Sequence, residues 1–349
     1  MKRWRFLTAS ILALLVLTPS SHMVSAAAVD ELVAAAKKEG TLDWYAPSNL
    51  TPPGAQALSD AFNKKYNLNI RLNYNPGESF TRDVGKVVGH AAAGVPPEWD
   101  LMVVHDAAHA TLWLRKLHKL FDYKKLGIDP ELIHYDRIHY DSGAISFSNQ
   151  FALPAYNKKM LPAKDVPKKW EDLLDPKWKG GKLGMSTATH HLARLATAWG
   201  EEKTTKFVQG LAKQEPILGT LGALTTRLQI GEILVAITLI DAFVRRGSEK
   251  GSAVVFAEGV EPVISPSYLA GALKGVNHPN AAHLFAAFLT TPEAQQIWEK
   301  FPGESSAFVP GTRAYEYAKG KKVVYMTQEH AEIVDRLTRE YGKILGFSK

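Results

Sequence analysis

The sequence predicts an α/β protein of two lobes, each a mainly parallel sheet flanked by helices, with a ligand cleft between them. Three observations predict it. Strand, helix, strand, helix and strand alternate from Thr41 to Val104, the signature of a βαβαβ unit. A second alternation runs from Leu183 to Ala257. Two extended, proline-marked segments, Ile145–Tyr156 and Glu261–Ser267, lie where the chain would cross from one lobe to the other and back.

The elements follow in order. Val29–Glu39 carries Leu32, Val33 and Ala36 at helical spacing, and Gly40 ends it. Thr41–Ala46 reads as the first strand. Pro47-Ser48-Asn49 and Thr51-Pro52-Pro53-Gly54 lead into an amphipathic helix ending near Tyr66. Ile70–Tyr74 alternates as a second strand, and Asn75 to Ser79 forms a loop and cap for a helix from Phe80 to Ala93. Gly94 and Pro96-Pro97 stop that helix. Asp100–Val104 is apolar enough for a strand covered on both faces. Three strand ends therefore carry Ser48 and Asn49, Gly77 to Ser79, and His105 with Asp106 to one edge. The second lobe continues with a helix over Glu201–Gln214, a strand at Pro216–Leu218, a helix over Thr220–Ile230 and a strand at Ile233–Thr238. A helix near Ala242–Arg246 and a strand at Ala253–Ala257 complete it.

Residues 1–28 read as a secretory leader. Met1 to Arg5 is basic, Phe6–Thr18 is an apolar run too short to span a bilayer, and Val24-x-Ala26 and Ala26-x-Ala28 both offer small-residue cut positions. The alternative is an uncleaved anchor. The chain has no cysteine, so disulfides and a lipid-modified cysteine are excluded, and a free exported protein is expected. Net charge is +7, of which Lys2, Arg3 and Arg5 leave with the leader. The remaining excess is scattered, which argues for solubility and against nucleic-acid binding.

The stretch Trp170-Glu171-Asp172-Leu173-Leu174-Asp175-Pro176-Lys177-Trp178-Lys179-Gly180-Gly181-Lys182 reads as a short helix, a proline turn and a Gly-Gly step into the strand Leu183-Gly184-Met185. Ser186-Thr187-Ala188-Thr189 then opens a helix, the place where open α/β sheets bind ligands. This stretch resembles the second-lobe signature of bacterial ABC-transporter solute-binding proteins. The similarity is to type II periplasmic binding proteins, in their ferric-iron-binding-like branch. Glu31–Gly40, Gly231-Glu232, Asn277–Ala282 and Thr291–Gln295 agree with it in order. The resemblance implies a first lobe over residues 29–145 with a returning segment at about 262–300, and a second lobe over 146–261. It also implies C-terminal helices over 301–349 that brace one or both lobes.

Candidate ligand contacts are Ser48, Asn49, Glu78, Ser79, His105, Asp106, Thr187, Thr189, His190, Thr220 and Asp241. Helix starts at Ser48/Asn49, Ser79, Thr187/Thr189 and Thr220 would converge on one cleft, where unpaired N–H groups and the positive dipole end favour an anion. The alternative is that each hydroxyl caps its own helix. His105-Asp106-Ala107-Ala108-His109 has the i, i+4 histidines of a zinc helix. It lacks the glutamate and straddles a strand–helix boundary, so no metal site is expected there. His190 and His191 point about 100° apart on a helix, with His190 toward the cleft and His191 on the surface or packed between lobes. In the ferric-binding branch, adjacent tyrosines coordinate iron in the neighbourhood that here reads Thr238-Leu239-Ile240-Asp241-Ala242-Phe243, so those ligands do not carry over. Trp44, Tyr45, Tyr74, Tyr156 and Tyr268 fall at strand ends or crossings, mostly as core.

The resemblance implies a periplasmic receptor that captures a small solute by lobe closure, and the helix N-termini, with Asp106 and Asp241, point to an anionic or zwitterionic one. It would deliver that solute to the membrane permease of an ABC importer, as a monomer and without a cofactor. Ferric iron or a metal–anion complex is the alternative ligand. A periplasmic enzyme or a sensor partner is the alternative role, although no nucleophile elbow, P-loop or dinucleotide fingerprint is present.

Overall fold

A computed structural model describes residues 21–77, 79–134 and 141–347. The chain begins with α1 (Ser21–Glu39), β1 (Thr41–Pro47), α2 (Thr51–Tyr66), β2 (Arg71–Gly77), α3 (Phe80–Ala92), β3 (Leu101–His105) and α4 (Asp106–Leu114). Short β4 (Phe121–Asp122), β5 (Ile133–His134) and β6 (Asp141–Ser142) precede β7 (Ala144–Asn149). β8 (Ala152–Asn157), β9 (Leu183–Ser186), α5 (His190–Trp199), α6 (Glu201–Ala212) and β10 (Ile217–Gly219) follow. Then come α7 (Leu221–Ile230), β11 (Val235–Ile240), α8 (Asp241–Glu249), β12 (Val254–Phe256) and β13 (Val263–Ser265). The chain closes with β14 (Ser267–Ala272), α9 (Pro279–Leu289), α10 (Pro292–Lys300), α11 (Arg313–Ala318), β15 (Val323–Tyr325) and α12 (Ala331–Ile344).

Two sheets carry the two lobes. The first has strand order β2-β1-β3-β14-β7-β5, and the second β10-β9-β11-β8-β13-β15 with β12 also on β8. Each is parallel over its first three strands and antiparallel where strands from the crossings join. The parallel strands read as continuous apolar runs because both faces are covered: β3 and β11 are buried almost throughout. Parallel strands also send their carboxyl ends to one edge, so β1, β2 and β3 deliver Ser48, Ser79 and His105 together.

The crossings are short. The extended stretch around residue 150 is two strands, β7 in the first sheet and β8 in the second, broken at Gln150-Phe151. Pro266 separates β13 from β14 in the same way. A third crossing, from α10 into residues 301–307, bridges β7 at Asn149 and Ser305. Asn149 ties the three together. Its Nδ2 donates to Ser267 Oγ at 2.9 Å, its Oδ1 accepts from Ala307 N at 2.8 Å, and its backbone N–H donates to Ser305 O at 2.9 Å. Ser265 Oγ adds a bond to Gln150 O at 2.9 Å. The C-terminal segment lies mainly on the second lobe: β15 pairs with β13, and α12 packs on α5 while also touching α4 of the first lobe.

The tryptophan-rich stretch is two 3-10 turns, Trp170–Leu174 and Pro176–Trp178, rather than an α-helix. Proline at 176 removes a donor that a continuous helix would need. Trp170 and Trp178 are buried; their indoles donate to Pro262 O and Asp172 O, and Asp175 caps the second turn. The motif is therefore a staple of the second lobe. Of the expected leader, residues 1–20 lie outside the described residues, and both cut positions fall within α1. Ala28 and Val29 pack on the first-lobe core, and Glu39 caps α9 through the N–H groups of Asn280 and Ala281.

Replacing Asn149 by alanine would leave the buried Ser267 hydroxyl and the Ala307 N–H short of a partner, at about 1–3 kcal/mol each. The expected result is a lower urea midpoint with unchanged slope, measured by equilibrium denaturation followed by circular dichroism.

Candidate functional site

The two lobes meet through a buried ion pair. Asp106 is the first residue of α4, at the carboxyl end of β3, and Arg194 lies one turn into α5; neither side chain is exposed. Asp106 Oδ1 accepts from Arg194 Nη2 and from Ala107 N at 2.8 Å, while Oδ2 accepts from Ser267 N at 3.2 Å. Arg194 Nη1 donates back to His190 O at 2.7 Å and meets His190 Nδ1 at 2.6 Å. Burial pulls the Arg194 guanidinium down to about 9, which leaves it charged at neutral pH opposite Asp106.

Around the pair stand three histidines. His105 Nδ1 accepts from Ala108 N at 3.1 Å and so caps α4. Its ring lies 4.3 Å from that of His190, across the lobe boundary, and His190 lies 4.5 Å from His191. His191 is buried and meets Thr238 Oγ1 at 3.3 Å, so it is not a surface residue. Burial holds His190 down to about 4 and pushes His105 and His191 well below the usual range, so all three are neutral at pH 7. A neutral His190 ring can accept the Arg194 N–H, which a protonated one cannot.

A second group flanks this contact toward the crossings. Phe80, half-buried at the start of α3, sits edge-on to His105 and Tyr268, at 5.2 and 6.0 Å. Tyr268, on β14, is buried, and burial, reinforced by the charge of Glu304, pushes its phenol well above the usual range. Glu304, from the third crossing, is 1% exposed; Oε1 accepts from Gln150 Nε2 at 2.8 Å, and Oε2 is buried without a partner. Burial, reinforced by the charge of Asp241, pushes Glu304 up to about 8. Arg245, Arg246 and Arg313 hold the carbonyls of Phe301, Pro302 and Gly303, at the end of α10 where a helix presents unpaired acceptors. Gly303 permits this: its φ is +83°, and a Cβ there would collide with the Arg245 guanidinium.

The predicted residues separate into groups. His105, Asp106 and His190 come together across the lobes. Ser48 is exposed and Asn49 half-buried, on the same edge, where Asn49 Oδ1 is buried without a partner. Ser79 precedes α3 and makes no side-chain cap; Glu78 lies outside the described residues. Gly77 packs against Tyr45, where a Cβ would overlap the phenol, so that Tyr45 OH reaches Asp83 at 2.7 Å. Thr187 is exposed. Thr189 is buried and spends its hydroxyl on Thr338 O of α12 at 2.9 Å, which turns it from the cleft. Thr220 is exposed and caps its own α7 through Ala223 N. Asp241 begins α8 and accepts from Phe151 N at 2.9 Å; burial pushes it up to about 6.

The zinc-like histidine pair does not share a face. His109 turns into the first lobe, to His118 Nε2 at 2.9 Å and Leu269 O at 3.0 Å. Among the described residues, Asp43, Asp100 and His278 could approach one ion. Both Asp100 oxygens already accept N–H groups, from Asp43 and His278, so the cluster reads as a loop tie. Reasoning from sequence missed Arg194, Arg246, Phe80 and Glu304. Arg194 had a signal, a cation within the apolar run Leu192-Ala193-Arg194-Leu195-Ala196.

Residues 57–316 match the family described as bacterial extracellular solute-binding protein. The chain belongs to that family. Its members are the solute receptors of ABC transporters, and they bind rather than catalyse. No curated protein matches the sequence closely enough to count as a relative. Among solved structures, iron-bound HitA from Pseudomonas aeruginosa shares 20% identity with this solute-binding protein at a TM-score of 0.68, covering 86% of this chain and 99% of that one. AfuA from Actinobacillus pleuropneumoniae, with fructose-6-phosphate bound, shares 18% at a TM-score of 0.70, covering 88% and 99%. The Trichodesmium protein IdiA (FutA), in complex with iron and citrate, shares 19% at 0.66, covering 88% and 99%. At these identities the likeness shows the two-lobe fold.

Glu304 gives the pH test. Its folded-state value is raised above the unfolded one near 4.5, so its favourable contribution is complete below 4.5 and lost as pH rises through about 8. Glu304→Gln should therefore be more stable than the native protein at pH 8, by about 2–4 kcal/mol. The two should converge below pH 4.5 in thermal melts across pH.

Proposed function

We propose that this receptor is exported and captures a small anionic or zwitterionic solute in the gap beside the Asp106–Arg194 contact. Phe80, His105 and Tyr268 form the wall on the first lobe, and His190 and Arg246 the wall on the second. The observation that carries this is the meeting of the lobes at His105 and His190, whose rings lie 4.3 Å apart with Phe80 edge-on to His105, while Arg246 is a half-exposed cation on the same lobe as His190. An anion seated there would touch both lobes, so its binding would favour the closed arrangement that Asp106 and Arg194 lock. The protein would work as a monomer, handing the solute to a membrane permease without turning it over.

Two of the structural neighbours carry iron, but the donors here are of another kind. Ferric iron prefers anionic oxygen ligands. Tyr45 donates to Asp83 and Tyr74 to Pro47 O at 2.9 Å; burial raises Tyr45 and Tyr268 well above the phenol range and Tyr74 to about 12. The Tyr45 and Tyr74 hydroxyls are already spent within the first lobe. Leu239 and Ile240 supply no oxygen from their side chains.

A thermal-shift screen over carboxylates, phosphate esters and amino acids is the first test. A solute at about 100 times its dissociation constant should add ~2.7 kcal/mol, and Phe80→Ala should weaken it roughly tenfold. Mixed with ferric citrate and desalted, the protein should remain colourless. A tyrosinate band with one retained iron per chain would instead return it to ferric transport.

A further inference from the structure

Beyond the gap between the lobes, the structure assigns a second small-molecule site to a side cavity of the second lobe, suited to a zwitterion with an apolar body such as an aliphatic α-amino acid. The cavity has a volume of about 310 Å³, at the small end of the roughly 300–1,000 Å³ typical of ligand pockets. It lies between α8, β12, α11 and the first and third crossings. Adjacent helical residues project about 100° apart. α8 therefore presents Arg245 to this cavity and turns Arg246 away from it.

Its lining sorts into three chemistries. Phe151, Val244, Phe256 and Ala314 form an apolar floor, with the Tyr317 ring tilted against Phe151 at a centroid distance of 4.6 Å. Arg245 and Arg313 supply positive charge, and Asp241 supplies a carboxylate within their field. Two residues that line this cavity each carry a donor, Arg245 Nε and Tyr317 OH, that is buried without a hydrogen-bond partner. Buried donors are nearly always paired, so two orphans on one cavity mark a place where an acceptor belongs. A carboxylate would take the Arg245 N–H and the Tyr317 O–H with Arg313 beside it. An ammonium would meet Asp241, and an aliphatic chain would cover the floor. A plain carboxylate would leave Asp241 unbalanced beside it, and a plain amine would face two arginines.

Neither His105, Asp106, His190 nor Arg194 lines the cavity, so this site is separate from the proposed cleft. Phe151 and Ser305 belong to crossing segments, which places a bound solute against the hinge.

Isothermal titration of the full chain with L-leucine, 4-methylpentanoate and 3-methylbutylamine tests the assignment. L-Leucine should saturate one site, with both truncated analogues weaker by roughly tenfold or more. Tyr317→Phe keeps the ring on Phe151 and removes only the hydroxyl; it should weaken L-leucine roughly tenfold. Asp241→Asn should bring L-leucine down to the level of 4-methylpentanoate, and Phe80→Ala should change nothing. Absence of saturation at millimolar L-leucine, or 4-methylpentanoate binding as tightly as L-leucine, would overturn the site. So would loss of binding in Phe80→Ala with none in Tyr317→Phe, which would place the amino acid in the cleft.

Discussion

The buried Asp106–Arg194 pair fixes how the lobes face each other. Taking both charges out of water is costly, and their attraction with the added N–H bonds from Ala107 and Ser267 does little more than offset that cost. Its value is geometric. Neither charge tolerates burial without the other, so an arrangement that separated the lobes while keeping these side chains dry would be expensive. The lobes are either locked at this contact or open to water. Ser267 is itself a residue of a crossing, so the lock is joined to the hinge through the same carboxylate.

Charge is distributed around that lock by element. First-lobe strand ends contribute neutral or acidic groups, His105 and Asp106. The second lobe contributes Arg194 and Arg246, and the third crossing contributes Glu304. The arginines of α8 are held by the carbonyls at the end of α10 and by a glycine that leaves room for them. The second lobe thus presents ordered positive charge beside aromatic surface from the first. That combination is the basis on which an anionic group on a small solute is proposed as the ligand.

Much of the fold was legible because its signals are local. Alternating strands and helices, cap residues and glycine stops all act within a few residues of where they appear. The crossings at residue 150 and Pro266 were also visible, as extended segments between periodic ones. The third crossing was not, because Phe301-Pro302-Gly303-Glu304 has no periodicity and gains its meaning from Asn149, Gln150 and three distant arginines. The cluster at the lobe contact was legible only in part. His105, Asp106 and His190 sit at strand–helix junctions, where the topology of a parallel sheet places ligands. Thr189 and Thr220 have the same local signature, yet one hydroxyl is used by α12 and the other by its own helix. Local sequence does not tell a cap that faces a cleft from one that faces a neighbour. Arg194 depends on a partner 88 residues away, a relation that no window of sequence contains.

The central claim is that Asp106 and Arg194 hold the lobes in one arrangement. The chain has no cysteine, so paired spin labels can be placed at exposed Lys64→Cys on α2 and Gln209→Cys on α6 and their separation measured by pulsed electron resonance. The comparison is with the double variant Asp106→Asn, Arg194→Met, which leaves no orphaned buried charge. The account predicts one narrow distance in the parent and a longer, broader distribution in the variant. An unchanged distribution would contradict it, and would leave the hinge alone to set how the lobes face each other.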